Sequence, residues 1–275
     1  MKTKAASELG IDRLYHYLSV DKPERLARIF IEGTLYFSMP RDFNDPWDCR
    51  PFYNKSSLND AGEYERAIRW FVHCDRIRSP LQPEEDHIRR ELEMRGNRKL
   101  LEWMIDQLTS GMDEAIQKQY RVYCLSRHPD STLMWAHYAD SCKGLCLEFS
   151  VQNKLFCKAL PVDYLPKYPL FTVGDTDEDA NLRVLLNKSD VWRYESEFRL
   201  IASEEPFDFP DVPTTKGGFV LLPKDALKSV IVGAQMAASD REMVRSLVRD
   251  SGWGVELKVA NLVSDRYAFN ITTLK

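Results

Sequence analysis

The stretch that most constrains the fold of this chain is 192–201, which reads W-R-Y-E-S-E-F-R-L-I. If it is a β-strand, alternate side chains point to opposite faces of a sheet. The face predicted to pack into the core carries Tyr194, Phe198 and Leu200. The opposite face carries Glu195, Glu197 and Arg199, with neighbours roughly 7 Å apart. Such a charged row predicts either a self-neutralising surface ladder or the wall of a cleft.

The rest of the chain predicts many short strands separated by helices of uneven length. Alternating or apolar segments predict strands at 14–19, 34–38, 121–126, 145–149, 219–222, 229–232, 255–259 and 267–272. No strict alternation of strand and helix is present, which favours an α+β fold over a parallel α/β fold. We therefore expect a mainly antiparallel sheet, either continuous or split, with flanking helices.

Residues 59–120 differ from the remainder because their apolar side chains recur at helical spacing. This pattern predicts a helical insertion of three or four helices within a single domain that spans 11–275. Residues 1–10 are expected to form a flexible N-terminus. The acidic, proline-containing segment 203–218 is expected to be a mobile loop, and its composition suits a lid.

Composition excludes several classes of function. A hydrophobic content of 44% and a charged content of 29% are typical of soluble globular proteins. The net charge of -4 gives no general attraction to nucleic acid. No segment approaches the roughly 18 apolar residues of a membrane span, so we expect a cytoplasmic protein without membrane association. Six cysteines without a C-x-x-C pair predict free thiols and no metal site.

Four groups of motifs, in order along the chain, resemble one bacterial family, known as domain of unknown function 2971. The segments that carry the resemblance are 14–17 with 35–38 and 44–48; 124–126 with 134–140 and 143–144; 192–199; and 230–233. The first group reads L-Y-H-Y, L-Y-F-S and N-D-P-W-D, and the second reads C-L-S, M-W-A-H-Y-A-D and K-G. The third group reads W-R-Y-E-S-E-F-R, and the fourth reads V-I-V-G. The resemblance extends over nearly the whole chain except the helical segment, and it implies no particular activity.

A second resemblance, to ADP-ribosyltransferases, implies a function. His16, Tyr138 and Glu197 follow one another in the order of that family's site residues, and Glu195-Ser196-Glu197 matches its E-x-E form. The resemblance implies a split sheet around a nicotinamide cleft, NAD as the substrate, and a role as a toxin or in defence. The catalytic residues it implies are Glu197, Glu195, His16 and Tyr138. A carboxylate suits this chemistry because cleavage of the glycosidic bond of NAD passes through an oxocarbenium-like centre.

The same resemblance suggests which residues would contact the nucleotide. They are Tyr17, Ser38, Asn44, Asp45, Trp135 and Arg199. Arg199 or Arg13 would bind the pyrophosphate, because guanidinium groups bind phosphate through paired hydrogen bonds. If His16, Tyr138 and Glu197 belong to one site, they should converge on one cleft. Neither a macromolecular acceptor nor an oligomeric state is indicated by the sequence.

Two other functions fit the same residues. A metal-dependent nuclease or phosphodiesterase would gather hard ligands around Mg²⁺. The candidate ligands are Asp45, Asp48, Glu195, Glu197 and His137. A binding or sensing module would instead use an aromatic pocket without turnover. Its candidate aromatic residues are Tyr17, Trp47, Trp135, Tyr138 and Trp192.

Overall fold

The computed structural model describes residues 3–174, 180–207 and 212–274. The α-helices are α1 Pro23–Ala27, α2 Ala61–Arg78, α3 Glu84–Gly96, α4 Arg98–Gln119, α5 Thr132–Tyr138, α6 Ala180–Leu186 and α7 Ala238–Ser251. The strands are β1 Arg13–Leu18, β2 Thr34–Tyr36, β3 Tyr120–Ser126, β4 Leu145–Ser150, β5 Leu160–Pro161, β6 Asp163–Leu165, β7 Asn187–Ser189, β8 Glu197–Glu204, β9 Thr214–Thr215, β10 Phe219–Leu221, β11 Leu227–Val232, β12 Glu256–Leu262 and β13 Phe269–Thr273. A π-helical turn, Arg28–Glu32, continues α1.

One large open sheet dominates the fold, with strand order β13-β12-β11-β4-β1-β3-β8-β5 and β9 beside β8. Its strand pairs are antiparallel except for β11 with β12 and β8 with β9, which are parallel. The α+β class and the mainly antiparallel sheet predicted from the sequence are therefore confirmed. Within the described ranges, no helix combines the length and the apolar character needed to cross a membrane.

The sheet is weakly joined between β1 and β3. Strand β1 pairs with β4 along its whole length, from Arg13 opposite Ser150 to Leu18 opposite Leu145. With β3 it pairs only where Tyr15 lies opposite Ser126. In a regular antiparallel ladder, the next pair of the same kind after Tyr15 and Ser126 would be Tyr17 opposite Cys124. That pair does not form, so a gap opens between the two strands beyond Tyr15.

The first residues of β8 differ from the sequence prediction. Residues Asp190–Glu195 form a 3₁₀ helix, and Ser196 adopts a left-handed backbone conformation with φ of 45°. The strand begins only at Glu197, so 192–201 is not one continuous strand. Tyr194 consequently packs against the ring of His137, with ring centroids 5.9 Å apart. The predicted core face is correct only for Phe198 and Leu200, which are buried in the main core.

Helices α2, α3 and α4 occupy most of the segment predicted to be helical. They enclose a small apolar cluster of their own, in which Ile68, Leu101 and Ile105 are buried. Helix α4 ends at Gln119 and runs directly into β3. The three helices thus lie between β2 and β3 in the chain without interrupting the large sheet.

Two segments expected to be mobile are held by specific contacts. Ala6 is fully buried, and its N–H donates to the carbonyl oxygen of Ala159 at 2.8 Å, so residues 3–10 are not a free tail. In the acidic segment, Glu204 forms an ion pair with Arg121 at 3.1 Å and accepts the N–H of Gly218 at 3.0 Å. These bonds fix both ends of the predicted lid, and its residues 208–211 lie outside the described ranges.

A close backbone contact next to α5 supports a first prediction. A Cβ atom on Gly144 would lie 2.3 Å from the carbonyl oxygen of Leu18, whereas one on Gly111 in α4 would meet no atom within 4 Å. We expect Gly144→Ala to lower the free energy of unfolding by about 1–3 kcal/mol. Gly111→Ala, the control, should leave it unchanged or raise it by up to about 1 kcal/mol. Urea denaturation of both variants measures this, and equal stability of both would contradict the close packing.

Candidate functional site

A cavity of about 540 Å³ lies at the gap between β1 and β3. Its wall includes His16 from β1, Tyr138 from α5 and Glu197 from β8. The expected convergence of these three residues on one cleft is therefore observed. Tyr17, Ser38 and Asn44, which were predicted to contact a nucleotide, also line this cavity.

A buried cluster of charged residues forms part of the cavity wall and is centred on Arg199, which lies behind it. This guanidinium is fully buried and donates to both carboxylate oxygens of Asp48, at 2.9 and 2.7 Å. It also donates to both oxygens of Glu197, at 2.8 and 3.0 Å, and to the carbonyl oxygen of Leu185 at 2.7 Å. Because these bonds use all three of its nitrogens, Arg199 is a structural cation. It does not line the cavity, which corrects its prediction as a pyrophosphate contact.

The second cation of the cluster is Lys188 on β7. Its ammonium group donates to Glu195 at 2.6 Å and to Glu197 at 3.2 Å, and it lies 3.6 Å from Asp48. Arg13, the other candidate for the pyrophosphate, pairs with Glu148 at 3.2 Å. In the described part of the chain, three carboxylates thus face two cations. One negative charge of the cluster is left uncompensated.

The two glutamates have different electrostatic environments. Burial alone would raise the pKa of Glu197, but Arg199 and Lys188 lower it to about 2, so Glu197 is a fixed anion. The pKa of Glu195 is raised, mainly by burial and further by the charge of Glu197. A carboxyl group whose pKa is raised toward the working pH is suited to act as a general base. The cluster therefore points to Glu195, rather than Glu197, as the group that exchanges a proton.

Tyr138 connects Glu195 to the cavity. Ser131 caps α5 by accepting the N–H of Met134, and this short helix carries Tyr138 to the cavity wall. The Tyr138 hydroxyl donates to Glu195 Oε1 at 2.5 Å and accepts from the side-chain amide of Asn44 at 3.2 Å. Burial and the neighbouring Glu195 raise the pKa of this hydroxyl. It therefore stays protonated and orients the carboxylate.

His16 is a neutral, positioned imidazole. Its Nδ1 lies 2.8 Å from the carbonyl oxygen of Cys124, which only accepts, so Nδ1 carries the hydrogen. Its Nε2 accepts from the guanidinium of Arg25 at 3.1 Å. Burial and Arg25 lower the pKa of His16 to about 3. His16 thus supplies no proton at neutral pH. Its side chain binds the carbonyl oxygen of Cys124, which the backbone of β1 leaves without a hydrogen bond.

This neutral His16 predicts a pH dependence of stability. The imidazole has a pKa of about 6.5 in the unfolded chain, which is higher than its pKa in the folded protein. As the pH falls, the unfolded chain is therefore protonated first, and this protonation favours unfolding. Stability is therefore lost below pH 6.5. Between pH 7 and pH 5 we expect His16→Asn to lose about 1–2 kcal/mol less stability than the wild type. Urea denaturation at both pH values measures this, and identical losses would contradict a neutral His16.

Two other predicted nucleotide contacts are not at the cavity. Trp135 is fully buried in an apolar cluster with Tyr17, and its indole N–H donates to the carbonyl oxygen of Pro129 at 2.8 Å. Asp45 is buried, accepts the N–H of Trp47, and lines a separate cavity of about 250 Å³. Both side chains are committed to local structure, so neither is placed to bind a ligand between β1 and β3.

Several residues that shape the site were not predicted from the sequence. Lys188 lies in an ordinary polar stretch, N-K-S-D, and Arg25 is one of several charged residues near α1. Tyr123, on β3, also lines the cavity. Only the short distance in sequence from Lys188 to the E-x-E motif hinted at a role.

Comparisons with protein-family models, curated proteins and solved structures found no match. The resemblance of the motifs to a family therefore stays a prediction. Among the residues that the structure describes, no group of three or more histidine, cysteine, aspartate or glutamate side chains is arranged to hold a metal ion.

Proposed function

We propose that this protein binds NAD in the cavity between β1 and β3 and transfers ADP-ribose from it. The observation that carries the proposal is the uncompensated negative charge of the buried cluster, with Glu195 and Glu197 at the cavity wall. The nicotinamide ring of NAD is cationic, and positive charge develops on the ribose as the glycosidic bond breaks. A fixed anion in a site of low dielectric stabilises that charge.

The reaction assigns separate roles to the two glutamates. The bond between C1′ of the ribose and the nicotinamide nitrogen breaks, and its electron pair leaves with nicotinamide. An acceptor hydroxyl or water then forms the new bond to C1′, and its proton passes to Glu195. Glu197, held by Arg199, remains ionised and stabilises the oxocarbenium-like centre. Tyr138 orients Glu195 for the proton transfer.

The shape of the sheet supports the same proposal. The resemblance to ADP-ribosyltransferases implies a split sheet around a nicotinamide cleft. Here β1 and β3 are joined at one residue pair and then diverge, with the cavity lined by both. Tyr138 lies on the wall beside Glu195, where the nicotinamide ring would need an aromatic side chain for stacking.

Tyr138→Phe tests the proposal without removing a charge. Loss of the hydroxyl leaves Lys188 as the one described side chain that pairs with Glu195, so we expect nicotinamide release from NAD to fall roughly tenfold or more, with binding little changed. Tyr267→Phe is the matched control because Tyr267 is fully exposed. Chromatographic detection of nicotinamide measures the rates, with and without cell extract as a source of acceptor. Absence of NAD binding in the wild type would overturn the proposal.

The two alternative functions are less well supported. A nuclease would need the carboxylates as metal ligands, but Arg199 and Lys188 occupy oxygens of Asp48, Glu195 and Glu197. A metal ion would have to displace these cations. A sensing module is distinguished by the same experiment, because it would bind NAD and leave it intact in the presence of every acceptor source.

A further inference from the structure

A second groove adjoins the cavity, and neither Glu195 nor Glu197 lines it. Its volume is about 410 Å³, and four residues line both spaces: Arg25, Tyr36, Ser38 and Tyr123. The remaining charged residues of this groove are Lys22, Arg28 and Glu24. Three cations against one carboxylate give it a positive character, opposite to that of the glutamate wall. The combined cleft is thus negative at one end and positive at the other.

One buried polar atom at the junction lacks a partner. Tyr123 is only 3% exposed, and its hydroxyl has no hydrogen bond to any residue the structure describes. A buried hydroxyl without a partner costs stability, so a tyrosine here is unfavourable unless something else binds it. The ring is held in place by stacking on His16, with centroids 4.2 Å apart. Tyr123 lines both spaces, but its hydroxyl oxygen is enclosed in the free protein, so a hydrogen bond from it to a ligand requires a local rearrangement of the residues that cover it.

The cations of the groove are available to a ligand. Among the described residues, no carboxylate pairs with Arg25, whose guanidinium is oriented by the acceptor Nε2 of His16. Arg28 lies over the ring of Phe219, 4.8 Å from its centre, which restrains the guanidinium without neutralising it. The ring of Tyr36 lies beside Phe219, with centroids 5.3 Å apart, and is 38% exposed. Free guanidinium groups beside an exposed aromatic ring suit a phosphorylated nucleoside.

We propose that this groove binds a nucleoside diphosphate, with Arg25 and Arg28 on the phosphates and the Tyr123 hydroxyl on a phosphate or ribose oxygen. The identification of the complete ligand as NAD rests on the proposed function. When NAD is bound, this groove would hold its ADP portion. His16 then acts as a positioning residue that aims Arg25. The glutamate end of the cleft holds the cationic nicotinamide ribose.

Titration calorimetry with ADP and with adenosine tests the groove alone, at one fixed ionic strength. We expect the wild type to bind ADP more tightly than adenosine. Arg25→Gln should weaken ADP binding at least roughly tenfold, and Tyr123→Phe roughly three- to tenfold. Arg89→Gln, on the exposed face of α3, is the control and should bind ADP like the wild type.

The Tyr123→Phe variant separates ligand binding from folding. Because the hydroxyl has no partner among the described residues of the free protein, the variant should unfold at the same or a higher urea concentration while binding ADP less well. A loss of stability together with unchanged ADP affinity would overturn the role of Tyr123. Equal binding of ADP and adenosine, or an unaffected Arg25→Gln variant, would overturn the groove. ADP binding without any NAD cleavage would leave the groove intact and count against the transferase instead.

Discussion

Arg199→Met is expected to destabilise the protein by at least about 3–5 kcal/mol, because among the described residues it leaves Asp48 and Glu197 buried with only Lys188 to neutralise them. Methionine approximates the length of the arginine side chain, so the loss reports mainly on charge. Total stabilities of single domains are about 5–15 kcal/mol, so the variant would be close to unfolding. Urea denaturation, with the free energy of unfolding extrapolated to water, measures the change.

The matched control for this experiment is Arg89→Met. Arg89 pairs with Asp86 on the surface, and its side chain is 76% exposed, so its loss should cost less than about 1 kcal/mol. The double variant Arg199→Met with Glu197→Gln should lose less stability than the sum of the two single variants. The loss of either partner is destabilising mainly because the other is left buried and charged. A loss below about 1 kcal/mol for Arg199→Met would show that the buried cluster is not formed.

Glu195→Gln should lower the rate of nicotinamide release from NAD by about 10²–10⁴-fold, the range that general bases contribute. Glutamine preserves the size of the side chain and an oxygen that can accept from Tyr138, but it cannot take a proton. Folding should persist because Lys188 keeps Glu197 and Asp48 as partners. Glu114→Gln is the control, since its side chain is 65% exposed on α4.

The pH profile of the wild type provides an independent check on Glu195. A general base must be deprotonated, and burial raises the pKa of Glu195 above its ordinary value. The rate should therefore fall on the acid side through a pKa above that of an ordinary glutamate, which is about 4.3. The residual rate of Glu195→Gln should lack this acid limb. An unchanged rate and profile in the variant would exclude Glu195 as the base.

The longer strands were readable from the sequence because each is apolar or alternating and bounded by turn residues, whereas the two- and three-residue strands β5, β6, β7 and β9 were not predicted. Alternation also predicted correctly that Glu197 and Arg199 share a face, where they now form two hydrogen bonds. It failed for Glu195, which reaches the same cluster through a 3₁₀ helix and the turn at Ser196. No neighbouring residue in the sequence requires a positive φ at Ser196, so this turn could not be predicted from the sequence.

The cations of the site were harder to predict than its carboxylates. The E-x-E-x-R motif is compact, whereas Lys188 lies outside it in a stretch without a recognisable pattern, and Asp48 is far away in the sequence. Arg25 contributes to the site because β1 and β3 diverge. The imidazole of His16 lies between the two strands and accepts a hydrogen bond from the guanidinium of Arg25. Local periodicity predicts strands, but a missing ladder pair depends on the tertiary structure around it.

The most direct test is a crystal structure of the Glu195→Gln variant with NAD, because slow turnover should keep the substrate intact. We predict NAD in the cleft between β1 and β3, with C1′ of the nicotinamide ribose roughly 3–4 Å from the side chain at position 195. Its phosphates should lie near Arg25. NAD bound elsewhere, or bound with its nicotinamide ribose away from Glu197 and position 195, would contradict the proposed function.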